Sequence, residues 1–142
     1  QRRGFSTPYG GEDPKIHERV LSIQRMVLGQ LLNRNVLNRM VNSSLYGNKY
    51  DLATYFKDLS DAVFEADKNK PVNSFRQNLQ VEYVNRLIRV AKDRAASSQI
   101  RAQVFSQLNK ILNEMKTSKS SGLSTNTHRE YVIHIIQKHF DE

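Results

Sequence analysis

Apolar residues recur every three or four positions in six segments of this 142-residue chain. No segment alternates apolar and polar residues with a period of two, which a half-buried strand would require. The pattern therefore predicts an all-α fold, a compact bundle of about six helices with no sheet.

Length and composition are those of one ordinary globular domain. Hydrophobic residues make up 38% and aromatic residues 8% of the sequence, and a chain of this length can bury a core without covalent staples. Cysteine is absent, which excludes disulfides, a cysteine nucleophile and a thiolate metal site. We predict an irregular lead-in or linker over residues 1–12, a single helical domain over residues 13–142 and a mobile loop at about 116–126.

Start signals and apolar stripes locate the helices. Four segments begin with a residue pattern that caps helices, namely Asp13 with Pro14, Asp51, Ser74 with Gln77, and Thr127 with Glu130. The first helix carries a stripe at helical spacing, Ile16, Val20, Ile23, Val27 and Leu31, with Leu21, Leu28 and Leu32 beside it. Gly47 predicts a left-handed cap after the second helix. The fourth helix, from 75 to about 95, is apolar over more than one stripe and is predicted to be central.

The last segment, THREYVIHIIQKHF over residues 127–140, contains three of the four histidines. Zinc proteases place two histidines four residues apart on a helix, so that both reach one ion. Here His128, His134 and His139 are separated by six and five residues, which turns consecutive side chains apart by roughly 240° and 140°. We predict no metal, catalytic or cofactor-binding residue in this chain. His128 and His139 are expected to border the apolar side with wet nitrogens, and His134 to be exposed.

Other motifs for chemistry are weak or absent. The sequence has no phosphate-binding glycine loop and no Gly-x-Ser-x-Gly elbow. Carboxylates concentrate on and beside the third helix, where they are interpreted as a solvated face: Asp51, Asp58, Asp61, Glu65 and Asp67. Three aromatic residues in apolar stripes are predicted to lie in the core: Phe56, Tyr83 and Phe105.

The charge is strongly basic, with 22 Lys and Arg against 14 Asp and Glu, a net +8. The densest basic stretch is Arg86, Arg89, Lys92 and Arg94. Such a ridge can face phosphates, or it can be a solvent face with ion pairs along the helix. Glu82 lies four residues before Arg86, and Asp93 four after Arg89, which favours the solvent face.

The segment FRQNLQVEYVNRLI, residues 75–88, resembles a helix of the C-terminal helical region of large secreted bacterial zinc-dependent metalloproteases. That family is the EcxA-like group of the metzincin class. The matching positions are Phe75, Arg76, Asn78, Leu79, Gln80, Tyr83, Val84 and Leu87. Residues 24–41 and 50–64 resemble the helices that precede it, and HREYVIHIIQKHFD resembles the closing helix.

The resemblance implies a parent protein that hydrolyses peptide bonds with a zinc ion held by His-Glu-x-x-His-x-x-Gly-x-x-His in an upstream domain. This sequence has no such motif, so the chain itself is expected not to be an enzyme and to hold no cofactor. Its expected partner is the catalytic domain of the parent, and its expected location is extracytoplasmic: periplasmic, cell-surface or secreted. No membrane span is expected. Two alternatives stay open, a stand-alone helical interaction module and a basic nucleic-acid-binding domain.

Overall fold

Six α-helices form the described chain: α1 (Pro14–Leu31), α2 (Arg34–Leu45), α3 (Leu52–Phe64), α4 (Ser74–Lys92), α5 (Ser98–Thr117) and α6 (Asn126–Phe140). The computed structural model describes residues 14–45, 47, 51–64, 74–117 and 126–142, and no strand lies among them. The predicted all-α fold is therefore confirmed. The lead-in over 1–12 and most of the loop predicted at about 116–126 lie outside the described residues.

Helix α4 is the centre of the bundle, because α1, α3, α5 and α6 all pack against it. Its side chains Tyr83, Val84 and Leu87 are fully buried. The broad apolar coverage in the sequence thus reflects several neighbours, as predicted. Helix α1 lies at one side of the bundle, and α4 is its principal neighbour.

One hydrophobic core joins all six helices and the connections after α1 and α4. Each large aliphatic or aromatic side chain in it contributes roughly 1.5–3 kcal/mol by leaving water. Its buried hydrophobic members are Leu28, Leu32, Leu37, Leu52, Tyr55, Phe56, Tyr83, Val84, Leu87, Ala96, Ile100, Val104, Leu108, Ile111, Leu112, Met115, Val132 and Ile136.

The predicted helix caps were partly correct. Asp51 Oδ1 accepts hydrogen bonds from the backbone N–H and the hydroxyl of Thr54, both at 2.9 Å. These bonds hold the pKa of the Asp51 carboxyl below its usual value. The capping box predicted at the start of α4 is wrong, because Ser74 Oγ, which should accept a backbone N–H, is buried without a hydrogen-bond partner among the described residues. Helix α6 begins one residue before the predicted cap Thr127.

Two further caps were not predicted. Asn33 Oδ1 accepts the N–H of Val36 at 2.9 Å at the start of α2, and Ser97 Oγ accepts the N–H of Ile100 at 3.2 Å at the start of α5. Both are short polar residues just before an apolar run, which is the signal that locates such caps. Gly47 adopts a φ of 80°, as its predicted left-handed conformation requires.

Candidate docking surface on the first helix

The three histidines of α6 face different surroundings, as their spacing predicted. His128 is buried, His134 is exposed and His139 is half-buried. Within the described residues no three His, Asp or Glu side chains come together in a way that could hold a metal ion. This part of the chain therefore does not fit the zinc ion that the family resemblance places in the parent protein.

His128 belongs to the buried interior, which corrects the expectation that its nitrogens stay wet. Its Nε2 lies 2.7 Å from Gln80 Oε1. Gln80 Nε2 donates to the carbonyl of Val63 at 3.3 Å, so the oxygen of that amide is the atom turned towards the imidazole. His128 Nε2 is therefore the donor and carries the proton. Burial lowers the pKa of His128, which keeps the ring neutral in the folded protein.

A second set of buried, hydrogen-bonded side chains joins α3, α4 and α5. Ser60 Oγ donates to Gln107 Oε1 at 2.9 Å and lies 2.8 Å from Tyr83 OH. Because a serine hydroxyl has one proton, Tyr83 is the donor to Ser60. Burial raises the pKa of Tyr83. These bonds satisfy the buried groups and tie three helices together, so the cluster is structural.

The remaining histidines have packing contacts. His139 Nδ1 is buried without a hydrogen-bond partner in the described chain. The pKa of His139 is lowered mainly by burial and secondly by the positive charge of Lys92. This disfavours the protonated form, although a charged His139 at the helix C-terminus would have suited the helix dipole. His17 on α1 packs on Phe75 with ring centroids 5.1 Å apart.

Two of the described carboxylates on and beside α3 have identified partners. On α3, Asp51 caps the helix, and Asp61 accepts from Lys57 one turn earlier at 2.9 Å. Glu65 and Asp67 lie outside the described residues. The carboxylates that the structure describes on α3 thus have structural or surface roles.

The basic stretch of α4 differs from the prediction in its partners. Glu82 pairs with Arg25 of α1 at 2.9 Å, and Asp93 pairs with Arg34 of α2 at 2.9 Å. The expected pairs along α4, from Glu82 to Arg86 and from Arg89 to Asp93, are wrong. Both carboxylates instead join neighbouring helices, because α1 and the start of α2 bring guanidinium groups within reach.

Among the described residues, four of the six exposed large hydrophobic side chains lie on α1. Four of its apolar side chains are about half exposed: Ile16 at 54%, Ile23 at 56%, Met26 at 58% and Val27 at 47%. We call these four residues the α1 outer face. The sequence pattern placed Ile16, Ile23 and Val27 in the main apolar stripe of α1. In the structure, however, the buried residue of α1 is Leu28. Helix α1 therefore has two apolar sides, of which α4 covers one.

Charged and polar residues border the α1 outer face. Lys15, Glu18 and Arg19 are exposed beside it on the same helix. An apolar centre with a polar rim is the usual arrangement of a protein contact surface. Two further exposed side chains, Phe105 at 56% and Tyr131 at 53%, lie on α5 and α6. The placement of Phe105 in the core was thus wrong, whereas Phe56 and Tyr83 are buried as predicted.

None of the helices that the structure describes is long and apolar enough to cross a membrane. A family model described as Met-zincin matches residues 2–71. No curated protein and no solved structure matched the chain. The matched range contains α1 and its outer face, and it ends before the motif at 75–88. Over residues 2–71 the chain is thus similar to the Met-zincin family, which confirms the resemblance to metzincins in that range.

Proposed function

We propose that this chain is a non-catalytic helical part of a secreted zinc-dependent metallopeptidase of the metzincin class, and that the α1 outer face packs on the catalytic domain of that protein. The catalytic zinc belongs to that other domain, since the sequence here lacks the His-Glu-x-x-His pattern. On this proposal the parent protein acts outside the cytoplasm.

The observation that supports the proposal is where the exposed apolar face lies. The Met-zincin match covers residues 2–71, and α1 spans Pro14–Leu31 within it. The side chains that α1 leaves in solvent are therefore in the segment related to metzincins. Covering them with a partner surface would remove apolar area from water at roughly 25 cal/mol per Å².

In this proposal the bundle supports the catalytic domain of the parent protein. The core that the helices share does not include the α1 outer face, so α1 presents that face at the surface of the bundle. Substrate contact is not needed for this role. A helical part that holds the catalytic domain in place would affect its stability before it affects the chemistry.

The proposal is tested first by the sequence of the gene and then by the contact between the α1 outer face and the catalytic domain. The reading frame that encodes this chain should also encode the extended zinc motif, and its absence would refute the metallopeptidase part of the proposal. In the full-length protein, Ile23→Ser with Val27→Ser should loosen the two parts, seen as faster limited proteolysis between them. Phe105→Ser is the matched control, since Phe105 has the same 56% exposure as Ile23 but lies on α5. Equal effects of the two variants would argue against docking through α1.

The stand-alone interaction module is the second candidate, and the same face is the observation that favours it. An unpartnered apolar stripe on one helix can pair with its own copy in an isologous dimer. Light scattering on the isolated chain separates the readings. A dimer abolished by Ile23→Ser with Val27→Ser would favour the second candidate, and a monomer would favour the first.

A further inference from the structure

We propose that the groove along α4, between α1 and α6, binds an acidic peptide segment of a partner protein. Two neighbouring cavities form it. One, of about 460 Å³, is lined by Arg25, Glu82, Arg86 and Arg89 around the shared residues Asn85, Ile88 and Lys92. The other, of about 360 Å³, continues from the same three residues to Tyr131, His134 and Lys138 on α6. We call the two together the α4 groove.

Positive charge dominates the α4 groove. Five Arg and Lys side chains line it: Arg25, Arg86, Arg89, Lys92 and Lys138. Its two carboxylates are already engaged, Glu82 by Arg25 at 2.9 Å and Glu142 by Lys92 at 2.8 Å. The remaining cations thus leave the groove with a net positive field, which an acidic partner complements.

Arg86 and Arg89 are the residues available to such a partner. The carboxylates four residues away from them in sequence, Glu82 and Asp93, are held by Arg25 and Arg34. Within the described chain no ion pair or hydrogen bond is made by either guanidinium. The Arg86 guanidinium lies beside α1 at Gly29, where an added Cβ would be in ordinary contact with it at 3.6 Å. A guanidinium offers paired donors that match a carboxylate.

The shape and the apolar parts of the groove favour a peptide. Ile88 is half-buried in the floor, and Tyr131 stands 53% exposed at the α6 side. Such side chains give contact area to the aliphatic parts of a peptide, which a bare anion would not use. Two shallow depressions that share Asn85, Ile88 and Lys92 form an elongated track, which an extended chain can follow better than a flat lipid surface can. This inference does not depend on the metallopeptidase assignment, because it rests on the charges and shape of α4 and its neighbours.

The test measures binding of a fluorescein-labelled oligoglutamate peptide to the purified full chain by fluorescence anisotropy. We expect saturable binding at low salt that weakens as salt rises. Arg86→Gln with Arg89→Gln should weaken it about tenfold, because charge-assisted hydrogen bonds to the carboxylates are lost. Tyr131→Ala should weaken it severalfold without changing the net charge. Circular dichroism checks that each variant is folded.

A charge-matched control separates a site from general attraction. Arg39→Gln with Lys110→Gln removes the same charge from exposed positions of α2 and α5 that do not line the groove, and it should change binding little. Equal losses in both double variants, or no binding at low salt, would overturn the proposal. So would an oligonucleotide or an anionic phosphatidylserine vesicle that binds more tightly than the peptide through Arg86 and Arg89. One further outcome is that inorganic phosphate displaces the peptide more strongly than chloride does at equal ionic strength. That result would mean that Arg86 and Arg89 bind a small anion and not a peptide.

Discussion

His128 on α6 donates to Gln80 on α4 across 2.7 Å, 48 residues apart in sequence and inside the core. The amide of Gln80 is oriented by its own bond to the Val63 carbonyl. A histidine that the sequence alone placed at a wet helix edge is therefore a buried neutral donor that joins α6 to α4. Protonation of this histidine should therefore affect the stability of the fold.

Stability should fall as the pH is lowered through the range of an ordinary histidine. Burial lowers the pKa of His128 in the folded state. Between that value and the ordinary pKa of roughly 6.5, the unfolded chain binds a proton that the folded chain does not. The free energy of unfolding is then unaffected at higher pH and decreases as the pH falls through this window.

Urea denaturation at a series of pH values between 8 and about 5 measures this dependence. His128→Gln should flatten the pH dependence, even if it lowers stability at neutral pH. His134→Gln, at an exposed position of the same helix, is the control and should leave the profile unchanged. His139 contributes in the same direction, since burial lowers its pKa as well. An unchanged profile in His128→Gln would assign the acid sensitivity elsewhere.

Ser60 should matter more to stability than the hydroxyl of Tyr83. Ser60→Ala leaves both Tyr83 OH and Gln107 Oε1 without their buried partner, at about 1–3 kcal/mol for each unsatisfied group. Tyr83→Phe leaves the bond from Ser60 to Gln107 at 2.9 Å intact, so it should cost only about 0.5–1.5 kcal/mol. Urea denaturation of the two variants gives the comparison. A larger loss in Tyr83→Phe would contradict the role of Ser60 as the partner that both other side chains depend on.

Two glycines should respond in opposite ways to alanine. Gly29 lies within α1, and an added Cβ would make ordinary contact with Arg86 at 3.6 Å. Gly29→Ala should therefore stabilise by about 0.5–1 kcal/mol. Gly47 has a φ of 80° with open space around it, so Gly47→Ala should destabilise by about 1–2 kcal/mol from backbone strain alone. Thermal unfolding measures the direction of both stability changes. Stabilisation by Gly47→Ala as well would refute the strained left-handed conformation of Gly47.

The two apolar sides of α1 should differ in their effect on folding. Leu28 is 3% exposed and faces the core, so Leu28→Ala should cost roughly 2–5 kcal/mol. Ile23 is 56% exposed, and Ile23→Ser should change the stability of the isolated chain by less than about 1 kcal/mol. Denaturation of the two variants measures this contrast. A large loss in Ile23→Ser would show that the outer face is part of the folding core, and it would remove the basis for docking.

Local features were predictable because they depend on neighbours in sequence. Helical periodicity located the six helices, and the short polar side chain of Asp51 located the start of α3. The spacing of the three α6 histidines predicted that they face different surroundings, since helix geometry alone turns them apart. The Met-zincin relationship could be seen in the helical motifs, although the matched range is 2–71 and the strongest motif began at Phe75.

Only the tertiary structure decided which surfaces are covered and which charges are paired. The sequence displayed an apolar stripe on α1 with Leu28 beside it, but it could not show that α4 covers the side of Leu28 and leaves Ile23 exposed. It could not show that Glu82 turns to Arg25, because ion pairs between helices depend on how those helices cross. A helix pattern identifies the apolar sides of a segment, whereas the number and angle of its neighbours determine how many of those sides leave water.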